Sequence, residues 1–356
     1  MKKNTHIDQL ETPAAIVDVE RMEANIDKLQ RYLDGHGIVH RPHVKTHKIP
    51  HIAQRQMDAG AAGITCQKVG EAEVMAGAGL GDIFIPYNII GQTKLERLMR
   101  LAGQVRLSVT ADSAFTARGY AEAARRADTD AVELPVLVEF DTGMGRCGVQ
   151  SPREAADLAR TIATSPGLRF GGLMTHPSNA HSDPFVRETR TLLKTDGIAI
   201  ERVSYGGTPG MWQAHTYTEI TEYRTGTYIY GDRAILASGA MALDDVAFHV
   251  ITTVVSRPTP QRGILDGGSK TFSSDLSGLE GHGMILEYPD AHFYSMSEEH
   301  GHVDFSACPR KPEIGERVTV IPNHCCVVSN LFDQIIAVKR GQVQAVWPVA
   351  ARGALY

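Results

Sequence analysis

Three observations predict an α/β fold, a closed (β/α)8 TIM barrel followed by a mostly antiparallel β domain. Short apolar runs alternate with amphipathic stretches through the first part of the chain, about eight such pairs fit into roughly 220 residues, and the texture turns β-rich after Gly239. The barrel is assigned residues 13–238 and the β domain residues 239–356, with residues 1–12 as candidate members of the second domain. An open doubly wound sheet is the alternative that the same alternation permits.

The strand-like pieces of the barrel are residues 14–19, 39–44, 63–66, 83–87, 105–110, 134–140, 168–174 and 202–205. Between them the pattern is helical, as in Met22, Ile26, Leu29 and Leu33, which fall on one face at 3.6-residue spacing. One helix start is written out in full: Ser151 as cap, Pro152 at the first helical position and Glu154 three residues after the cap. In the second part, residues 249–256, 262–265, 317–321, 334–339 and 343–347 read as strands separated by Gly, Pro and Asp turns.

With 356 residues, 42% hydrophobic and 22% charged, the chain has the composition of an ordinary globular protein large enough to bury its own core. A net charge of −5 with scattered Lys and Arg gives no footprint for nucleic acid or an anionic membrane, so the expected partner is a small molecule. No apolar run approaches the roughly 20 residues of a membrane span, and the opening MKKNTHIDQLETPAA lacks the apolar core of a secretory signal; the expectation is a cytoplasmic protein with free cysteines.

The segment DTGMGRCG contains Gly143, Gly145 and Gly148 in dinucleotide-binding spacing. It reads as a decoy, because it follows the sixth strand-like piece and no acidic residue ends the next one. RPHVKTHK places five basic side chains in eight residues after an apolar strand. A lysine there is usually just solvated, but Lys45 would sit at the C-terminal end of a barrel strand, where neighbouring cations favour the neutral, nucleophilic amine. His324 and Cys326 are one residue apart, and along an extended chain would share a face with Cα atoms about 7 Å apart. Two donors are an incomplete metal site, and a buried Cys beside a satisfied His is the plainer reading. A catalytic ion that keeps positions open for water and substrate is the other. Gln67, Tyr87, Asn88, Arg146, His176 and the turn Gly206, Gly207, Thr208 also fall at predicted strand ends; the turn could cradle a phosphate if a helix starts at Pro209.

The pieces RPHVKTHK, TCQKVGEAEVM, DTGMGRCGV, EYRTGTYIYGD, DGGSK and VWPVAARG, spread over nearly the whole chain, resemble the D-threonine aldolase and D-serine dehydratase family. The resemblance implies the alanine-racemase-like fold of a pyridoxal 5'-phosphate (PLP) enzyme. It implies Lys45 as the residue that binds PLP covalently, Arg146 near the pyridine nitrogen, Gly206, Gly207, Thr208 and Tyr228 near the phosphate, and His324 with Cys326 as ligands of a divalent metal (zinc, manganese or magnesium). Gln67 and His176 are expected to line the cofactor, and a homodimer is the expected assembly. The chain departs from the pattern in three places: Cys326 stands where many aldolases carry Asp and dehydratases carry Cys, His176 where aldolases have tyrosine, and Pro177 where they have histidine. A thiolate ligand favours zinc.

The resemblance implies a lyase acting on D-3-hydroxy amino acids. In the aldolase reading His181 or a metal-bound water is the candidate base that takes the hydroxyl proton before Cα–Cβ cleavage to glycine and an aldehyde. In the dehydratase reading, on D-serine or D-3-hydroxyaspartate, Lys45 takes the α-proton and a 2-oxo acid and ammonia result. A non-catalytic PLP carrier would need only the barrel and Lys45; the β domain and the His324/Cys326 pair speak against it.

Overall fold

A computed structural model describes residues 5–127 and 133–356. It divides into a β unit, made of residues up to Lys28, Thr46–Ile49 and Thr227–Gly353, and a barrel unit, made of Leu29–Lys45, Pro50–Gly226 and Ala354–Tyr356.

The first strand, β1 (Ala14–Asp18), belongs to the β unit, whereas the sequence pattern had placed residues 14–19 in the barrel. It pairs antiparallel with β10 (Phe248–Ser256), Ile16 opposite His249, and parallel with β16 (Gln334–Lys339), Ile16 opposite Ile336. A five-residue apolar strand buried on both faces has the same local signature in either sheet, so only these distant partners decide its place.

Among the described residues the barrel unit holds eight parallel strands: β2 (Val39–His40), β3 (Ile64–Thr65), β4 (Asp82–Ile85), β5 (Arg106–Ala111), β6 (Leu134–Glu139), β7 (Leu168–Met174), β8 (Arg202–Gly206) and β9 (Glu222–Arg224). Their order is β2-β9-β8-β7-β6-β5-β4-β3. The ends of this row also meet. The Ala62 N–H donates to the His40 carbonyl at 3.0 Å and the Thr65 N–H to the Pro42 carbonyl at 2.8 Å, which closes the sheet. The expected strand 39–44 is cut to two residues, because Pro42 has no N–H for the ladder; the chain turns into the 3-10 helix Val44–Thr46, with Lys45 at its centre. The eighth strand, β9, reads EYR and has no apolar run to announce it. Glu222 and Arg224 are nonetheless buried, 2% and 5% exposed, Glu222 accepting from Arg41 and Ser204 and Arg224 donating to Ser204 and the Thr175 carbonyl.

The helices follow the predicted pattern. Met22, Ile26, Leu29 and Leu33 of the helix Val19–Gly35 are all buried. The helix Pro152–Ala163 begins with the expected capping box, the Glu154 N–H donating to Ser151 Oγ and the Ser151 N–H to Glu154 Oε2, both at 3.2 Å.

In the β unit, β10 is the spine. It pairs with β1, with β11 (Arg262–Leu265) and with β15 (Arg317–Pro322), all antiparallel. β12 (Gly283–Ile285) adds to β15, β13 (His292–Met296) and β14 (Gly301–Asp304) extend from β11, and β17 (Gln342–Pro348) pairs with β16. Leu10, Ala14, Ile16, Ile251, Ile336, Val338 and Val343 form one apolar core beneath this sheet. After β15 the chain does not stay extended as the sequence suggested: Cys325–Ser329 is one short helix with His324 as its cap residue. Among the described residues no helix is long and apolar enough to cross a membrane.

Candidate active site

The candidate residues fall into two groups, one in each unit. In the barrel unit, the turn that carries Lys45 is held by its neighbour two residues back, the Lys45 N–H donating to His43 Nδ1 at 3.4 Å. With Nδ1 accepting, the proton of a neutral imidazole sits on Nε2, which lies 2.9 Å from Gln67 Oε1 and donates to it. Burial keeps His43 neutral by pushing its pKa well below the usual histidine value, and the charges of Lys45 and Arg224 push the same way. Gln67 is fixed in turn, its N–H donating to Glu71 Oε2 at 2.5 Å.

His176, just past β7, belongs to the same cluster. Its pKa is pushed down to about 3, first by burial and then by Arg224, Lys45 and Arg146, and its ring hydrogen-bonds the backbone of Gly206. Gly207 lies against it at φ +125, where a Cβ would come 3.8 Å from His176 Cε1 and 3.7 Å from Pro177 Cβ; the conformation, more than the space, asks for glycine. The expected phosphate cradle is narrower than its three residues, because the Gly207 N–H is already given to the Arg224 carbonyl at 3.1 Å. The buried Thr208 opens the 3-10 helix Thr208–Thr216 with Pro209 in its first turn, as anticipated.

The glycines of DTGMGRCG form no dinucleotide loop. Asp141 Oδ1 accepts from the N–H groups of Gly143, Met144 and Gly145 at 3.0, 2.9 and 3.3 Å, which folds the segment into a tight anionic cap. Arg146 leaves this turn half-exposed and sets Nη2 3.6 Å from Glu139 Oε1. Glu139 is buried; burial raises its pKa, against the pull of Arg146 and Arg224. His181 is exposed at the entry of the helix Ser182–Leu193, its N–H donating to Asn179 Oδ1 at 2.9 Å.

Sequence reading missed Arg224 altogether. It is fully enclosed, donating from Nε to Ser204 Oγ at 2.8 Å and from Nη2 to the Thr175 carbonyl at 2.8 Å. Burial lowers its pKa to about 10, while Glu222 and Glu139 oppose the shift. A positive charge buried on the eighth strand is the signal that EYRTG carried. Lys45 and Arg224 act electrostatically on both His43 and His176, and Arg146 on His176, so these cations form one cluster. A cationic cluster of this kind suits an anionic cofactor such as PLP.

In the β unit, Tyr228 is buried in the turn Thr227–Ile229. His324 Nδ1 lies 2.6 Å from Asp275 Oδ2, and the His324 ring also hydrogen-bonds the Cys326 side chain. Cys326 Sγ is 3.2 Å from Thr46 Oγ1 and 3.6 Å from Thr227 Oγ1. The hydrogen bond to Cys326 is the first cause that raises the His324 pKa to about 9. The Cys326 thiol is pulled well below the usual range, first by its hydrogen bond with Cys325 and, against burial, by His324 and Thr46. With Nδ1 turned to Asp275, the ring meets Cys326 through Nε2, and a cation bound there would displace the proton of that hydrogen bond. One imidazole and one thiolate fit a borderline-soft divalent ion such as zinc. Among the described residues no group of three His, Cys, Asp or Glu side chains could hold a metal. Adjacent Cys325 is buried, its thiol pKa raised by burial, and its N–H donates to Asp232 Oδ2 at 3.0 Å.

A closed parallel barrel with a lysine in the turn after its first strand, followed by an antiparallel β unit, defines the alanine-racemase class of architecture. Residues 17–234 match the family model described as alanine racemase, N-terminal domain, and residues 247–338 that of a putative serine dehydratase domain. The chain is 33% identical to a D-threonine aldolase of Arthrobacter sp over 97% of its own length and 93% of that protein. It is 30% identical to a D-threo-3-hydroxyaspartate dehydratase of Delftia sp. (strain HT23), over 91% of its length and 93% of that protein. The crystal structure of D-threonine aldolase from Filomicrobium marinum superposes with a TM-score of 0.89 at 30% identity, covering 100% of both chains. The chain belongs to the D-threonine aldolase and D-serine dehydratase family.

Proposed function

We propose that the protein is a PLP- and metal-dependent lyase that cleaves the Cα–Cβ bond of a D-3-hydroxy amino acid, giving glycine and an aldehyde. The observation that carries this reading is full-length similarity to a D-threonine aldolase in a chain that keeps Lys45 on its barrel turn and His324 with Cys326 in hydrogen-bonding contact. When bound, PLP supplies the electron sink for the carbanion left at Cα, and the divalent ion supplies a Lewis acid for the β-hydroxyl.

The chain's own residues do the rest. Lys45 would hold PLP covalently through its side-chain amine. Gln67, His176, Arg146, Thr208, Gly206, Gly207 and Tyr228 seat the cofactor. His43 and His176, kept neutral by burial, leave the positive charge of the cluster to Lys45, Arg146 and Arg224. His324 and Cys326 hold the ion, and His181 is the side-chain candidate for the base that takes the hydroxyl proton. Cys326 and the serine dehydratase family match favour a second reading, in which Lys45 removes the α-proton and hydroxide leaves. A cytoplasmic homodimer is part of the same proposal.

Incubation with D-threonine, D-serine and D-3-hydroxyaspartate separates the readings. Glycine plus an aldehyde supports the aldolase, whereas a 2-oxo acid with ammonia overturns it in favour of the dehydratase. Lys45→Ala must lose the borohydride-reducible PLP adduct; an adduct retained in that variant would remove Lys45 from its role.

A further inference from the structure

The His324 and Cys326 pair stands on a hydrogen-bonded scaffold of its own. His324 Nδ1 meets Asp275 Oδ2 at 2.6 Å. A carboxylate only accepts, so Nδ1 carries a proton, and Nε2 is the nitrogen left to face Cys326 and, once deprotonated, to bind a cation. The other oxygen of Asp275 is also committed, Oδ1 accepting from the Ser277 N–H at 2.9 Å and from Ser277 Oγ at 3.4 Å. The loop that carries Asp275 is pinned by the residue next to His324. Asn323, 2% exposed, donates from Nδ2 to the Gly281 carbonyl at 2.7 Å and to the Leu276 carbonyl at 3.4 Å, while its Oδ1 accepts from Arg233 Nη1 at 2.6 Å. Arg233 donates to the Glu280 carbonyl at 3.1 Å as well. Asp232, the preceding residue, accepts the Cys325 N–H at 3.0 Å and caps Ile235 at 2.9 Å. Two adjacent residues on one segment thus grip two residues flanking His324.

We propose that Asp275 is a positioning residue for the metal: held by the loop that Asn323 and Arg233 clamp, it fixes His324 in the tautomer and orientation that present Nε2 to the ion. An ordinary surface ion pair would leave both side chains free to turn and would contribute little; here both carboxylate oxygens and the carrying loop are fixed. The inference rests on the reading of His324 and Cys326 as metal ligands.

The test uses full-length, PLP-loaded protein stripped of metal and titrated with zinc against a chromophoric chelator. Wild type is expected to take one zinc per chain. Asp275→Asn should bind the same number with roughly 10- to 100-fold lower affinity, with unchanged PLP absorbance and unchanged melting temperature of the metal-free protein, and Asp275→Glu should recover part of the loss. The thiolate charge-transfer band of the cobalt(II)-loaded protein should persist in Asp275→Asn, because the ligand set is intact. Equal zinc affinity in wild type and Asp275→Asn, where Cys326→Ala has lost it, overturns the role of Asp275 alone. Equal affinity in wild type and Cys326→Ala overturns the metal pair itself. Independently of any variant, 15N NMR of the zinc-loaded wild type must show His324 bound through Nε2 with Nδ1 protonated; binding through Nδ1 refutes the inference.

Discussion

Replacing Glu222 by Gln tests whether the barrel is held by its buried charges. Glu222 Oε2 accepts from Arg41 Nε at 2.6 Å and lies 3.7 Å from Arg202 Nη1, while Oε1 accepts from Ser204 Oγ at 2.6 Å. Arg41 has a second carboxylate, Asp82 Oδ1 at 2.5 Å, and so keeps one partner in the variant. Gln fills the same volume, so no cavity forms and the loss is electrostatic. At 3.7 Å and an effective dielectric of 20 a pair interacts by about 4.5 kcal/mol, and removing one member of a buried pair costs roughly 3–5 kcal/mol because the other stays buried. The remaining Asp82 and the amide oxygen of Gln place the expected loss at about 3 kcal/mol. Urea unfolding at pH 7, followed by circular dichroism, measures it. The pH dependence carries the sign. Burial would raise the Glu222 pKa, but Arg41 and Arg202 outweigh it and hold the group at about 2. Its contribution is therefore complete above the unfolded value near 4.5 and disappears only as pH falls through 2. The difference between wild type and variant should be flat from pH 8 to 5. A loss below about 1 kcal/mol, or a difference that fades between pH 8 and 5, would refute the reasoning.

Three further outcomes are expected. Cys326→Ala should abolish zinc binding in equilibrium dialysis, whereas Cys325→Ala should keep the zinc and lose about 1 kcal/mol of stability, since Cys325 is a fully buried side chain; equal zinc loss in both variants would dismiss the assignment of Cys326 as the ligand. Arg146→Ala should leave PLP bound with a shifted absorbance, because it removes a fixed cation beside Glu139, and an unchanged spectrum with unchanged kinetics would place Arg146 outside the cofactor site. His40, held neutral between Gln30 Oε1 at 3.0 Å and Thr225 Oγ1 at 2.9 Å, has its pKa lowered to about 3 by burial. The unfolded chain takes up that proton first, so stability falls as pH drops from about 6.5 towards 3, by about 2 kcal/mol at pH 5. His40→Gln should flatten that part of the stability profile by about one proton, and an unchanged slope would show that His40 does not titrate differently on unfolding.

The sequence by itself determined whatever short-range patterns encode. The capping box at Ser151 and the buried stripe of Met22, Ile26, Leu29 and Leu33 are written within a few residues of themselves. The count of strand-helix pairs marked a barrel, and the basic turn around Lys45 and the pair His324 and Cys326 were visible as residue types in a suggestive spacing. The tertiary structure alone decided what depends on distant partners. Residues 14–19 could have joined either sheet until β1 found His249 and Ile336. The strand Glu222–Arg224 was hidden because a charged segment reads as solvent-facing, and becomes core only where Arg41, Ser204 and Thr175 receive it. The segment CCVVS is rich in β-branched residues and reads as extended, yet it turns into a helix whose first N–H is taken by Asp232. Asp275 lies 49 positions from His324, beyond the range of any local pattern. A hydrogen bond across that span is fixed only by packing, and with it the nitrogen that His324 can offer a metal.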